Sequence, residues 1–348
     1  MELTNYIVCN DILGIQTNTK YIGWSFGHPT ESASEEQINQ CKIVLKLIVG
    51  PLKSEAKKLQ HLQQYHYWWG DFGKDELFYQ RNFFAGTKLR MLIRGIKSNR
   101  PEIRVNKNFI KFIRFRFNNL HSPGYMLTDL ACVLLLQNNF CPLHCSAFSI
   151  GNCTVAVVAP GNTGKTLTTM RAVFDAKANY MSEDLGIVDE ENFYSCPWTS
   201  TFRYYDELSM SRLLRWRIKL VKIFPPAELI PILGRCRNID YYISKDRISQ
   251  KRKITHLALL SRRSGGIKVL DKEDAKKMLF NLNRYEFFYM KSPMLTAYSY
   301  FNPELDIFSI EENERTILSR LVDNTTCLLV QSNDPSKFSE LILEKINK

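Results

Sequence analysis

The clearest pattern of apolar and polar positions lies near the middle of the chain. Cys153 to Val158 is an apolar, β-branched run of strand length, Ala159 to Gly164 is small and glycine-containing, and Lys165 to Ala176 has the composition of a helix. After a short connection at Lys177 to Asn179 comes the stretch Tyr180-Met181-Ser182-Glu183-Asp184, then apolar Leu185 to Val188. Leu185 to Cys196 reads as a hairpin turning at Asp189 to Asn192. Upstream, Tyr125 to Asn138 predicts a helix leading into the strand that carries His144. Ala131 to Leu136 is an apolar run too short to span a membrane.

Other segments carry weaker patterns. Ser32 to Leu59 predicts an amphipathic helix with an acidic start, interrupted at Gly50-Pro51; Glu35 lies at capping-box distance from Ser32, and Gln37 from Ser34. Glu76 to Tyr79 reads as a strand, followed by Arg81 to Gly86. In Ile110 to Arg116 apolar and basic residues nearly alternate, as in a strand with one wet face. Arg212 to Phe224 predicts a basic amphipathic helix ended by Pro225-Pro226, a substrate lid or packing helix ahead of a membrane-surface one. Gly265-Gly266 reads as a turn after a strand.

The central strand, loop and helix point to nucleotide chemistry. A loop that opens a helix offers backbone N–H groups and the positive end of the helix dipole to an anion. Pro160, Gly161, Asn162, Thr163, Gly164, Lys165, Thr166 and Leu167 are the expected phosphate-binding positions, with the Lys165 ammonium on the β/γ-phosphates. The first glycine of the usual GxxxxGK[ST] pattern is Ala159 here. Thr166 and Asp184 are the expected Mg²⁺ ligands, since the acidic pair falls on the strand following the helix. Glu183 is then the expected general base. The alternative is a glycine-rich turn and a solvated acidic pair. Arg203 is placed to swing a guanidinium onto the γ-phosphate, or is a surface arginine.

Taken together, Leu143-His144-Cys145-Ser146-Ala147, APGNTGKT and MSEDLGIVD resemble the C-terminal domain of the HPr kinase/phosphorylase family and its serine-kinase-like relatives, whose nucleotide fold resembles phosphoenolpyruvate carboxykinase. The resemblance spans roughly residues 140 to 345. It implies an active site of His144, Lys165, Thr166 and the Glu183-Asp184 pair. It also implies a later core strand at Ile254 to Leu260 and a following helix at Asp271 to Leu282. The chain differs from the family in lacking its GDSGxGKS loop and EIRG-type segment, and in having Glu183 where the first aspartate of the pair stands. The family's members form oligomers, so the resemblance implies a homo-oligomer.

Composition frames these expectations. A chain of 348 residues with 45% hydrophobic content has room for two well-buried domains. Residues 1 to 120 read as an α+β accessory or substrate-recognition domain, and 121 to 348 as an α/β nucleotide-binding domain with a mixed sheet. The absence of glycine- or proline-rich linkers predicts that the two pack together. The start of the chain lacks the plan of a signal peptide. Nine cysteines without a CxxC pair, and with the wrong spacing for zinc at Cys141, Cys145 and Cys153, suggest reduced thiols in a cytoplasmic protein. The net charge of +12 concentrates in Arg90 to Arg116, Arg212 to Arg237 and Lys245 to Lys253. No aromatic spacing of a nucleic-acid module accompanies it, which leaves solvated faces or a surface for an acidic peptide or protein. The expected activity is transfer of the γ-phosphate of ATP to a serine or threonine hydroxyl of a peptide or protein, with Mg²⁺. A small-molecule hydroxyl such as free serine, and a nucleotide-binding switch or adaptor without transfer, are the alternatives.

Overall fold

The computed structural model describes residues 2–19, 22–27, 32–52, 66–82, 86–113, 123–197, 216, 223, 239 and 242–346. Its elements begin with β1 (Thr4–Cys9), β2 (Leu13–Thr17), α1 (Glu35–Gln40), β3 (Ile43–Val49), β4 (His66–Trp69), β5 (Glu76–Asn82), β6 (Lys88–Arg94) and β7 (Glu102–Val105). There follow α2 (Lys107–Ile113), α3 (Pro123–Gln137), β8 (Cys141–Leu143), β9 (Cys145–Ile150), β10 (Cys153–Val158), α4 (Lys165–Phe174), β11 (Asn179–Ser182), β12 (Gly186–Val188) and β13 (Asn192–Tyr194). The rest are β14 (Lys251–Lys253), β15 (His256–Ser261), β16 (Gly266–Val269), α5 (Lys272–Glu286), α6 (Pro293–Phe301), α7 (Ile307–Asp323), β17 (Thr326–Gln331) and α8 (Phe338–Ile346). The chain is therefore mixed α/β. Among the described residues no helix is long and apolar enough to cross a membrane.

Two compact units divide the chain. The first takes residues 1–143, 187–190 and 276–321; the second takes 144–186, 191–275 and 322–348.

In the first unit a seven-stranded mixed sheet runs in the order β1-β2-β3-β7-β6-β5-β4, with β2, β3 and β7 mutually parallel. Helix α3 packs on β3 and β7 and is buried along nearly its whole length, from Met126 to Leu136. It starts at a proline, whose missing N–H costs nothing at a first helical position. It stops where Asn139 adopts φ +61°: Phe140 N–H reaches the Leu135 carbonyl at 2.9 Å and Asn139 N–H the Leu136 carbonyl at 3.2 Å. These bonds occupy carbonyls that the helix end leaves open.

Two expected elements are corrected here. The capping box of Ser34 and Gln37 is present, but its helix ends at Gln40, and Ile43–Val49 is a strand. That run is rich in β-branched residues and buried on both faces between parallel neighbours, where apolar positions lose the alternation that marks a half-buried strand. Residues 110 to 113 are the end of helix α2 rather than a strand. The Asn106 side chain accepts from Phe109 N–H at 3.2 Å, a local cap that starts a helix before alternation can act. Arg114 to Arg116, residues 53 to 59 and most of 212 to 224 lie outside the described residues.

The second unit is built on a six-stranded mixed sheet in the order β11-β9-β10-β15-β17-β16. Strands β10, β15 and β17 are parallel, and β9 is antiparallel to both β10 and β11. The carboxyl ends of β10, β11, β15 and β17 thus meet at one edge, where β9 begins. Helices α4 and α8 cover one face through Met170, Val173, Phe338 and Ile342 against Val155, Val157, Ala258 and Val330. Burying such side chains contributes about 1.5–3 kcal/mol each, which holds the edge in place.

Candidate functional site

Strand β10 ends at Val158, the chain turns through Ala159 to Gly164, and α4 starts at Lys165. Within the loop Asn162 has φ +61° and Gly164 has φ +127°. The second conformation is closed to side chains, and a Cβ on Gly164 would lie 3.0 Å from Pro335 Cβ. A Cβ on Gly161 would meet nothing within 4 Å, so the mouth of the loop is open on that side. Within the turn the Thr163 N–H reaches the Pro160 carbonyl at 3.4 Å. A glycine before the helix adds no side-chain acceptor to the first-turn amides.

The first turn of α4 is tied to the sheet. Ser146 of β9 donates to the Lys165 carbonyl at 2.9 Å and accepts from the Thr169 hydroxyl at 2.8 Å. The Thr168 N–H and hydroxyl both reach the Gly164 carbonyl at 2.9 Å. The sequence assigns Ser146, though part of the resembling segment, and Thr169 no role of their own; a small polar residue inside the apolar run Cys145 to Ile150 is the signal that marks the first.

Lys165 is 6% exposed, and its Nζ lies 2.7 Å from His144 Nε2 and 2.7 Å from the Ala159 carbonyl oxygen. An ammonium has only protons to give, so Nε2 accepts and the ring proton sits on Nδ1. Burial, then the Lys165 charge, pushes the His144 pKa down to about 3, so the imidazole is neutral. Its Nδ1 faces Asp184 Oδ1 at 3.9 Å. Burial pushes the Asp184 carboxyl up, and Lys165 partly offsets this.

The Thr166 hydroxyl donates to Glu183 Oε1 at 3.3 Å, and Glu183 is 1% exposed. The two carboxylates therefore divide: Glu183 sits beside Thr166, and Asp184 beside His144. His144, Lys165, Thr166, Glu183 and Asp184 come together at the carboxyl edge of the sheet, the place where open α/β sheets bind ligands. Arg203 lies outside the described residues.

Chemically the donor set is one of hard oxygens and hydrogen-bond donors. A threonine hydroxyl beside a carboxylate suits Mg²⁺, which keeps waters and phosphate oxygens and needs one or two protein oxygens. Among the described residues no group of three or more His, Cys, Asp or Glu side chains is arranged to hold a metal alone. No protein-family model matches the chain, and no curated protein matches it.

Proposed function

We propose that the second unit is an ATP-dependent phosphotransferase site that moves the γ-phosphate to a hydroxyl, with a serine or threonine of a peptide or protein as acceptor. The observation that carries this reading is the junction of β10 and α4. There a buried lysine and a threonine open a helix, within hydrogen-bond reach of a histidine just before β9 and a carboxylate just after β11. The residues that carry the resemblance to HPr kinase/phosphorylases are the same ones.

In this reading the amides of Gly161 to Thr166 and the Lys165 ammonium hold the phosphates of ATP. Mg²⁺, when bound at Thr166 and one carboxylate of the acidic pair, would neutralise phosphate charge. The acceptor oxygen bonds to the γ-phosphorus, the bond from that phosphorus to the β-γ bridging oxygen breaks, and ADP leaves. The acceptor's proton passes to a carboxylate of the acidic pair. Little covalent chemistry is asked of the protein; position and charge supply the rate. The +12 charge of the chain favours an acidic acceptor segment.

Calorimetry of Mg·ATP binding to wild type and Lys165→Ala tests this. Hydrogen bonds from a charged group contribute roughly 1.5–3 kcal/mol, so the variant is expected to bind about 10- to 150-fold more weakly. Absence of binding to the wild type would reject the nucleotide reading. Binding without any phosphorylated hydroxyl product would favour a nucleotide-sensing switch.

A further inference from the structure

Glu183 and Asp184 follow the last residue of β11, in a bend rather than on the strand, and their side chains go to different partners. Here they part clearly. Glu183 is buried and accepts from the Thr166 hydroxyl at 3.3 Å, whereas Asp184 has half of its side-chain surface exposed and stands 3.9 Å from His144 Nδ1. The glutamate side chain, one methylene longer than aspartate, has the reach to meet the first turn of α4 from the end of β11.

We infer that Glu183, with Thr166, forms the divalent-cation end of the site, and that Asp184, with His144, forms the end that faces the hydroxyl acceptor. This deepens the phosphotransferase reading and rests on it. A cation bridging phosphate oxygens in a loop of this kind is held by the hydroxyl at the start of the helix and a carboxylate beside that hydroxyl. Of the pair, Glu183 meets the second condition. An acceptor hydroxyl on another molecule must arrive from solvent, and the carboxylate open to solvent is Asp184. Lys165, between the Ala159 carbonyl and His144, sits where phosphate would be bound and links the two ends.

The test is calorimetric binding of the non-hydrolysable analogue adenylyl imidodiphosphate, with Mg²⁺ and with EDTA, to wild type, Glu183→Gln and Asp184→Asn. Both substitutions keep side-chain shape, and binding in EDTA reports an intact loop in each variant. The expected result is that Mg²⁺ strengthens binding at least tenfold in wild type and in Asp184→Asn, and less than threefold in Glu183→Gln. Loss of the Mg²⁺ effect in Asp184→Asn, or its retention in Glu183→Gln, overturns the assignment and leaves the nucleotide site standing. A wild type that binds the analogue in neither condition overturns the phosphotransferase reading and this assignment with it. Glu183→Asp provides a second check: it restores the charge one methylene short and is expected to recover only part of the Mg²⁺ effect, while full recovery would remove the reach argument.

Discussion

Asp129, in the middle of α3, gives a stability prediction whose size follows from its surroundings. It is 7% exposed, and burial pushes its carboxyl from the ordinary 3.8 up to about 6, with Ser292 offsetting part of the shift. The folded state therefore holds the proton more tightly than the unfolded chain. Protonation stabilises; that stability is complete below pH 3.8 and is lost as pH rises through about 6. A difference of about two units, at 1.36 kcal/mol each, amounts to about 3 kcal/mol. Asp129→Asn removes this dependence. Any difference in how well the buried amide and the acid are satisfied does not vary with pH and cancels from the comparison. The assay is hydrogen exchange of the α3 amides in wild type and variant from pH 3.5 to 8, corrected for intrinsic exchange rates. Relative to Asp129→Asn, the wild type is expected to lose about 3 kcal/mol of protection of this helix between the two ends of the range. A difference flat across that range, or one that grows in favour of the wild type as pH rises, would refute the reasoning.

Two further predictions concern the loop. Gly164→Ala forces a side chain onto φ +127° with its Cβ 3.0 Å from Pro335 Cβ, and is expected to cost roughly 1–3 kcal/mol; a thermal-shift measurement showing an unchanged transition would contradict this. Lys165→Met removes the charge beside His144, so the imidazole pKa, held at about 3, is expected to rise while burial, the larger cause, keeps it below 6.5. Titration of the His144 ring protons by NMR reads this directly, and an unchanged value would mean that the lysine charge does not reach the ring.

Much of the second unit was legible in the sequence because its signals are local. The run Cys153 to Val158, the glycine before Lys165 and the helix composition after it specify strand, turn and helix within a few residues, and the structure has them at 153–158 and 165–174. The strand and helix that the resemblance implied at Ile254 to Leu260 and Asp271 to Leu282 are found at His256–Ser261 and Lys272–Glu286. The failures came where an apolar run has more than one solution. Ile43–Val49 lies between two parallel strands, and its burial on both faces erases the period that separates strand from helix. At Lys107–Ile113 a single side-chain cap from Asn106 outweighed an alternating pattern.

The sequence by itself determined the loop's conformation and the residue types beside it, since backbone freedom at Gly164 and the chemistry of lysine, threonine and carboxylate are local properties. Only the packing of the unit sets Glu183 beside Thr166 and Asp184 beside His144. Glu183 and Asp184 are neighbours in the chain and differ by one methylene, and their separation depends on how β11 lies beside β9 and how Ser146 fixes the first turn of α4. Those are pairings between residues some 20 to 40 positions apart, and a register between strands is set by the burial of whole faces rather than by any residue within them.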